Sequence, residues 1–273
     1  MIPKIAHFYW GGDFLPYMRY LTIVSFIRYN PDWQVILYIP KTTIKEKSWG
    51  SHEQKYSILG KNYLTELKSL PIQITIFDFE SIGISNSLSE VHKSDFLRWY
   101  LLYTVGGLWS DMDILYFKPI PAFTFDVGIC ICPYGHSIGF LPAKARSLYY
   151  KKVLQTARSF YDKQKYQGAG ATVLNRYFKR VSDILISFKD CIYHNLSMDI
   201  VYAYDAKNIK QIFCSRSASK FTKNSIGIHW YAGDILAGKF MNGKGSPCLL
   251  EDLCKKEGYD METNVKKIGK DLQ

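Results

Sequence analysis

Near the N-terminus two short apolar runs flank a segment of helical spacing, and this order constrains the fold more than any other feature. Ile2 to Tyr9 reads as a buried strand ending at Trp10-Gly11-Gly12, where glycines permit a sharp turn. Tyr17 to Tyr29 puts Leu21, Val24 and Ile27 on one helical face, Asn30-Pro31-Asp32 stops it, and Trp33 to Ile39 is extended again. The alternation continues. Residues 40–70 are polar, Lys-rich and predicted helical in part, and Ile72 to Phe77 reads as a strand after Pro71. Ser94 is placed to cap a helix from Asp95 to Thr104, Gly106-Gly107 ends it, and Leu108 to Phe117 reads as extended up to Lys118-Pro119. Repeated β-α-β order predicts an α/β fold, a mostly parallel central sheet flanked by helices, with ligands beyond the carboxyl ends of its strands. Trp10 and Asp111 to Asp113 fall near such ends.

Beyond residue 120 the pattern is less regular. Strands are expected at 127–132 and 138–141, a basic helix at 144–163, a Gly168-Ala169-Gly170 loop, and a helix at 171–181. With no internal repeat or Pro/Ser linker, the expectation is a single domain over 1–250, with halves 1–120 and 121–250, followed by a charged tail at 251–273. A chain of 273 residues that is 47% apolar and 22% charged excludes disorder and small disulfide scaffolds. The six cysteines show no C-x-x-C pair and no zinc spacing, so they are read as reduced thiols. The N-terminus lacks a basic region followed by an apolar core, and the longest uncharged stretch, 127–143, contains Pro133, Pro142 and His136. A cytoplasmic protein, soluble or held at the inner face of the cell membrane, is expected.

The net charge of +11 suggests an anionic partner, and its distribution narrows the choice. Residues 1–143 hold 12 basic and 12 acidic side chains and 224–273 hold 7 of each, whereas 144–223 hold 16 basic against 5 acidic. One segment is therefore expected to show a basic face to an anionic partner, such as an anionic membrane surface. A nucleic-acid partner is not expected, because no recognised nucleic-acid motif accompanies the charge.

The most informative stretch runs from Lys93-Ser94-Asp95-Phe96-Leu97-Arg98 to Asp111-Met112-Asp113. Asp95 and Arg98 share one helical face, where an intrahelical ion pair is worth only about 0.2–0.5 kcal/mol, a weak reason for its presence. Asp111 and Asp113 are two apart, which lets both carboxylates lie on one side of the backbone. Close carboxylates repel, and among Leu108, Trp109, Ile114 and Leu115 a divalent cation is the natural compensation, with hard oxygen ligands favouring Mg²⁺ or Mn²⁺.

The order Ser94-Asp95-x-x-Arg98, an apolar helix, Gly106-Gly107-Leu108-Trp109 and then Asp111-x-Asp113-Ile114 resembles the sugar-nucleotide-binding signature of GT-A-fold glycosyltransferases. More narrowly it is similar to the family of yeast mannosyltransferases, α-galactosyl- and α-N-acetylglucosaminyltransferases and bacterial capsular polysaccharide enzymes, with clostridial glucosylating toxins as distant relatives. Ile2 to Gly12 and Asn30-Pro31-Asp32-Trp33 match the same family, so the resemblance covers roughly the first 120 residues. It implies a GT-A-like, Rossmann-like sheet whose first half binds a nucleotide sugar and whose second half binds the acceptor. Trp10 would stack on the base. Asp95 and Arg98 would contact the donor sugar, Arg98 also the diphosphate, with Ser94 adding a contact and Trp109 near the sugar. Asp111 would touch the ribose or a metal-bound water, and Asp113 would bind Mn²⁺ or Mg²⁺ directly. Gly227-Ile228-His229-Trp230 looks like the family's C-terminal His-Trp element, making His229 the candidate third ligand and Trp230 a cover over the donor. Lys239 falls where some relatives place a phosphate-binding lysine. Where many relatives carry a sugar-holding Asn, this chain has His136 or Ser137, which leaves the donor sugar open.

The expected activity is metal-dependent transfer of a hexosyl unit, with Asp113, Arg98 and Asp95 as catalytic residues. The donor would be a UDP- or GDP-sugar, the acceptor a glycan or lipid-linked oligosaccharide in surface polysaccharide synthesis, and the outcome retaining. Two other classes compete: a toxin-like enzyme that glycosylates a protein, and a nucleic-acid-binding protein.

Overall fold

The computed structural model describes residues 1–44, 60–245 and 247–262, so the stretch 45–59 of the predicted polar segment 40–70 lies outside the described residues. The first half runs β1 (Ile5–Tyr9), α1 (Tyr17–Tyr29), β2 (Gln34–Pro40), α2 (Leu64–Leu67), β3 (Gln73–Phe77), α3 (Glu90–Thr104), β4 (Gly107–Ser110) and β5 (Ile114–Tyr116). The second continues with β6 (Val127–Ile129), β7 (Ile131–Cys132), β8 (Gly135–His136), β9 (Phe140–Ala143), α4 (Leu148–Phe160), α5 (Ala171–Tyr177) and α6 (Val181–Ser187). It closes with β10 (Tyr193–Asn195), α7 (Ile209–Cys214), β11 (Gly227–His229), α8 (Ile235–Met241) and α9 (Leu249–Lys256).

Seven strands form the main sheet in the order β10-β6-β9-β4-β1-β2-β3. β1 lies parallel to β2 and β4, and β2 parallel to β3, while β9 runs antiparallel to β4 and β6. The expected α/β class and mostly parallel sheet are therefore present. The chain builds outward from β1 through β2 and β3, then returns through α3 to place β4 on the opposite side of β1. That reversal opens a crevice beyond the carboxyl ends of β1 and β4, where Trp10 and Asp111 emerge.

Burial explains why these residues form the centre. Ala6, Phe8, Leu108 and Trp109 are essentially inaccessible, as strands covered on both faces require. His7, also buried, meets the Tyr38 hydroxyl at 3.2 Å through Nδ1 and the Gly106 carbonyl at 2.7 Å through Nε2. Burial lowers its pKa to about 4 against the opposing pull of the Gly106 carbonyl, so the ring is neutral at pH 7. Gly107 has φ of 96°, and a Cβ there would lie 2.4 Å from the Ile5 carbonyl, so only glycine lets β4 start beside β1.

Several expected boundaries shift. Ser89, not Ser94, caps α3, its Oγ accepting from the His92 N–H at 3.3 Å; the helix thus starts more than a turn earlier, and Ser94 lies inside it. The expected strand 108–117 breaks at Asp111 to Asp113: β4 stays in the main sheet, whereas β5 pairs antiparallel with β11 in a separate ribbon. The strand expected at 127–132 divides into β6 and β7, and that at 138–141 becomes β9. The basic helix is shorter than expected because Ser147 caps it, its Oγ accepting from Tyr150 N, and the helix expected at 171–181 gives way to α5 and then α6.

Two apolar clusters share α1. Ile23 and Phe26 face the sheet, while Met18 and Leu21 join Leu115, Trp230 and the apolar faces of α7, α8 and α9. The start of the charged C-terminal stretch is therefore packed: Leu250 and Cys254 are fully buried, and Glu251 pairs with Lys255 at 2.8 Å. All six cysteines are free thiols, and among the described residues no helix is long and apolar enough to cross a membrane.

Candidate active site

At the end of β4 the backbone is redirected when the Asp111 N–H donates to the Gly139 carbonyl at 2.8 Å. Asp113 follows two residues later, just before β5. Pairing of β5 with β11 sets Ile114 opposite His229, and the Trp230 N–H donates to the Asp113 carbonyl at 2.9 Å. The antiparallel ribbon thus delivers an imidazole to the paired aspartates.

Asp113 is held on several sides. Its Oδ1 lies 3.2 Å from His229 Nε2 and 3.9 Å from Arg19 Nη1, and its Oδ2 accepts from the Ala232 N–H at 3.0 Å. Burial alone would raise its pKa, but His229, Arg19 and the Ala232 N–H together hold it below the ordinary carboxylate value. For His229 burial opposes protonation, yet the Asp113 carboxylate leaves its pKa raised. Asp111 Oδ1 accepts from Trp109 Nε1 at 2.8 Å and from Arg98 Nη2 at 3.0 Å. Arg98 Nη1 reaches Asp95 Oδ1 at 2.8 Å, so one buried guanidinium bridges the α3 aspartate and the β4 aspartate. Burial pushes the Asp95 carboxyl up to about 7 even though Arg98 pulls it down.

Among the described residues, Asp111, Asp113 and His229 are the one group of three potential ligands whose offered atoms all lie within 4.8 Å of one another. Two hard carboxylates and one neutral imidazole suit Mn²⁺ well and Mg²⁺ less well, and the His229 Nδ1, buried without a partner, leaves Nε2 as the atom facing Asp113. The residues present fit a divalent ion.

Other expected site residues are distributed less evenly. Trp10 is partly exposed at the end of β1, with the Arg19 guanidinium 5.2 Å from its ring centroid. Ser94 is half-buried in α3 beside Asp95. Trp109 is 1% exposed, and its indole N–H holds Asp111, so its visible task is to aim a carboxylate rather than to touch a sugar. Trp230 is fully buried on the far side of Arg19, 5.5 Å from its guanidinium, and in this conformation packs rather than covers a ligand. Lys239 is exposed on α8. His136 Nε2 meets the Phe178 carbonyl at 2.7 Å and Ser137 Oγ lies 3.9 Å from Met198 Sδ, so both side chains are engaged elsewhere.

Sequence reasoning missed Arg19, whose guanidinium sits between Trp10 and Trp230 and beside Asp113. Its signal was a cation within the apolar first turn of α1, between Met18 and Tyr20. Tyr202 and Tyr231 were also missed; their rings lie 5.2 and 4.3 Å from that of His229, and Tyr231 adopts φ of 51°, unusual for a non-glycine residue.

A crevice at the strand reversal, carrying a two-aspartate, one-histidine cluster beside a buried Asp-Arg pair, defines a DXD-type site on an α/β sheet. Residues 18–128 match the model of the family described as the glycosyltransferase sugar-binding region containing a DXD motif. Over 81 residues, 28% of this chain, the sequence is 33% identical to the initiation-specific alpha-1,6-mannosyltransferase of Saccharomyces cerevisiae, a match that spans 16% of that enzyme. Among solved structures, similarity is found to the PaToxG glycosyltransferase, with a TM-score of 0.49 and 17% identity over 68% of this chain and 73% of that one. The apo form of the glycosyltransferase GlyE of Streptococcus pneumoniae TIGR4 gives 0.45 and 13% identity over 84% and 55%. The galactosyltransferase LgtC, solved in complex with donor and acceptor sugar analogues, gives 0.38 and 15% identity over 83% and 86%.

Proposed function

We propose that the chain transfers a hexosyl unit from a nucleotide sugar, a UDP-sugar in preference to a GDP-sugar, to a hydroxyl of a glycan or lipid-linked oligosaccharide in surface polysaccharide synthesis. The observation that carries this is the convergence of Asp111, Asp113 and His229 with the Arg98–Asp95 pair in one crevice. Asp111, Asp113 and His229 would hold Mn²⁺ or Mg²⁺, which would supply positive charge to the diphosphate leaving group. Arg98 adds a fixed charge of its own, braced by two carboxylates and by the rings of Trp99 and Trp109 at 5.4 and 4.9 Å. Asp95 offers Oδ2, buried and without a partner, to a sugar hydroxyl. Trp10 receives the base at the mouth of the crevice.

Retention of anomeric configuration is part of the proposal. Asp95, Asp111 and Asp113 each spend one oxygen on Arg98 or His229, and in this reading the free Oδ2 of Asp95 binds a sugar hydroxyl rather than attacking the anomeric carbon as the nucleophile of a retaining glycosidase does. The acceptor oxygen then bonds to the anomeric carbon on the face the phosphate leaves, and a departing phosphate oxygen takes the acceptor proton. Incubation with UDP- and GDP-sugars, with Mn²⁺ or with EDTA, is expected to release nucleoside diphosphate from a selected donor only with metal and to give a product of unchanged anomeric configuration by NMR. Release from no donor would contradict the function, and an inverted anomeric proton would contradict retention.

The stretch 144–223 is proposed to meet an anionic membrane surface. Lys151, Lys152, Lys179, Arg180 and Lys189 are exposed there, together with Ile186 and Ile192 at 71% and 64%. Arg158 contributes less, because its Nη2 donates to the Ile82 carbonyl at 2.7 Å. At about 1 kcal/mol per cation, Lys151→Glu with Lys152→Glu is expected to weaken cosedimentation with phosphatidylserine vesicles by about tenfold or more. Unchanged cosedimentation would contradict this contact.

A further inference from the structure

Around Asp111 four buried polar atoms lack a hydrogen-bond partner: Asp95 Oδ2, Arg98 Nε, His229 Nδ1 and Tyr202 Oη. The first three belong to groups already assigned to the donor or the metal. Tyr202 is not. It follows the short helical turn Met198–Ile200, is 5% exposed, and lays its ring against His229.

The position of Gly139 locates the hydroxyl. A Cβ built there would lie 3.0 Å from Tyr202 Oη and 2.7 Å from Asp111 Oδ2, so both oxygens converge on the bare backbone of Gly139, where a side chain would crowd them. Across the cluster, a Cβ on Gly170 would lie 2.4 Å from Asp95 Oδ1. Two glycines thus bring bare backbone against the polar atoms around Arg98.

An unsatisfied buried hydroxyl costs about 1–3 kcal/mol, and native interiors keep few of them. A phenylalanine would fill the same volume without that cost, so packing does not account for the oxygen. We propose that Tyr202 Oη is a specificity-determining group that hydrogen-bonds a hydroxyl of the transferred sugar. It rests on the donor being a nucleotide sugar, and it adds a residue from the second half of the chain to a site otherwise built from the first half and His229. The sugar hydroxyl satisfies an oxygen that the free protein leaves bare, so the bond discriminates among hexoses rather than holding the nucleotide.

Tyr202→Phe tests this by deleting one atom. Because that atom has no partner in the free protein, Tm is expected to stay within about 2 °C of wild type or to rise. Calorimetric titrations with Mn²⁺ present compare UDP with UDP-glucose, UDP-galactose and, alongside GDP, GDP-mannose. For whichever sugar wild type binds best, the variant is expected to lose about tenfold in affinity while binding the bare nucleoside diphosphate as wild type does. Equal weakening of both ligands, the result if Tyr202 merely steadies Asp111, would overturn the proposal. So would unchanged affinity for both, or a Tm lower by several degrees. Wild type binding none of these nucleotides would instead overturn the proposed function itself, and with it this assignment.

Discussion

Asp113→Asn is expected to lower metal-dependent turnover about 10³-fold, the scale seen when a group that stabilises transition-state charge is removed. Asparagine keeps an oxygen for the Ala232 N–H, now 3.0 Å from Oδ2, so the local backbone has what it needs. What disappears is the negative charge shared by His229 and Arg19 and offered to a cation. The loss also has a pH signature. The folded pKa of Asp113 lies below its unfolded value of 3.8, so its stabilising contribution is present above that value and lost as pH falls through the folded one. The variant is therefore expected to be less stable than wild type at pH 7, with a difference that shrinks in acid. Release of nucleoside diphosphate at saturating Mn²⁺ measures the first effect and urea unfolding at several pH values the second; turnover within tenfold of wild type would contradict the assignment.

Arg98→Met is expected to be the more damaging change to the fold. Arg98 is 3% exposed and serves Asp95 and Asp111 at once, and removing one partner of a buried ion pair typically costs about 3–5 kcal/mol. Asp95 offers a partial escape, because burial already raises its carboxyl to about 7 and loss of Arg98 lifts it further. A group raised above its unfolded pKa of 3.8 contributes stability that is full below that value and lost as pH rises through the folded one. The deficit of Arg98→Met relative to wild type should therefore stay level from pH 4 to about pH 7, where Asp95 is protonated in both folded proteins, and widen above it, where only the wild-type carboxyl ionises, as unfolding in urea would reveal. A deficit independent of pH would mean that Asp95 does not carry the uncompensated charge. Turnover should fall about 10²-fold or more, since Arg98 also aims Asp111.

Local pattern carried the first half of the fold well. Helix α1 has the bounds that Leu21, Val24, Ile27 and the Asn30-Pro31 stop predicted, and β1 to β4 follow the expected alternation. Local pattern failed where tertiary pairing decides. Nothing in Leu108 to Phe117 says that two strands of one apolar run join different sheets; the break follows from the Asp111 N–H bonding Gly139 and from β11 capturing β5. Ser94 was a plausible cap by type, but Ser89 stood earlier in the chain with Glu90 opening the first turn. Asp111 and Asp113 could be paired from spacing alone, whereas His229 was legible only through the family resemblance. Arg19 and Tyr202 had no periodic signature, because their importance lies in what surrounds them: two indoles for one, the bare backbone of Gly139 and Asp111 for the other. Trp109 and Trp230, placed near the donor by the family resemblance, are buried with Asp111 and Arg19 as neighbours, a packing that no local pattern announces.

The central proposal is that Asp111, Asp113 and His229 together hold a divalent ion. Electron paramagnetic resonance of Mn²⁺ titrated into the wild-type protein in the presence of UDP, and into Asp111→Asn, Asp113→Asn and His229→Gln under the same conditions, addresses it directly. One bound ion per wild-type chain is predicted, with loss of binding in Asp113→Asn and weaker binding in the other two. Mn²⁺ bound equally well by all four proteins would contradict it.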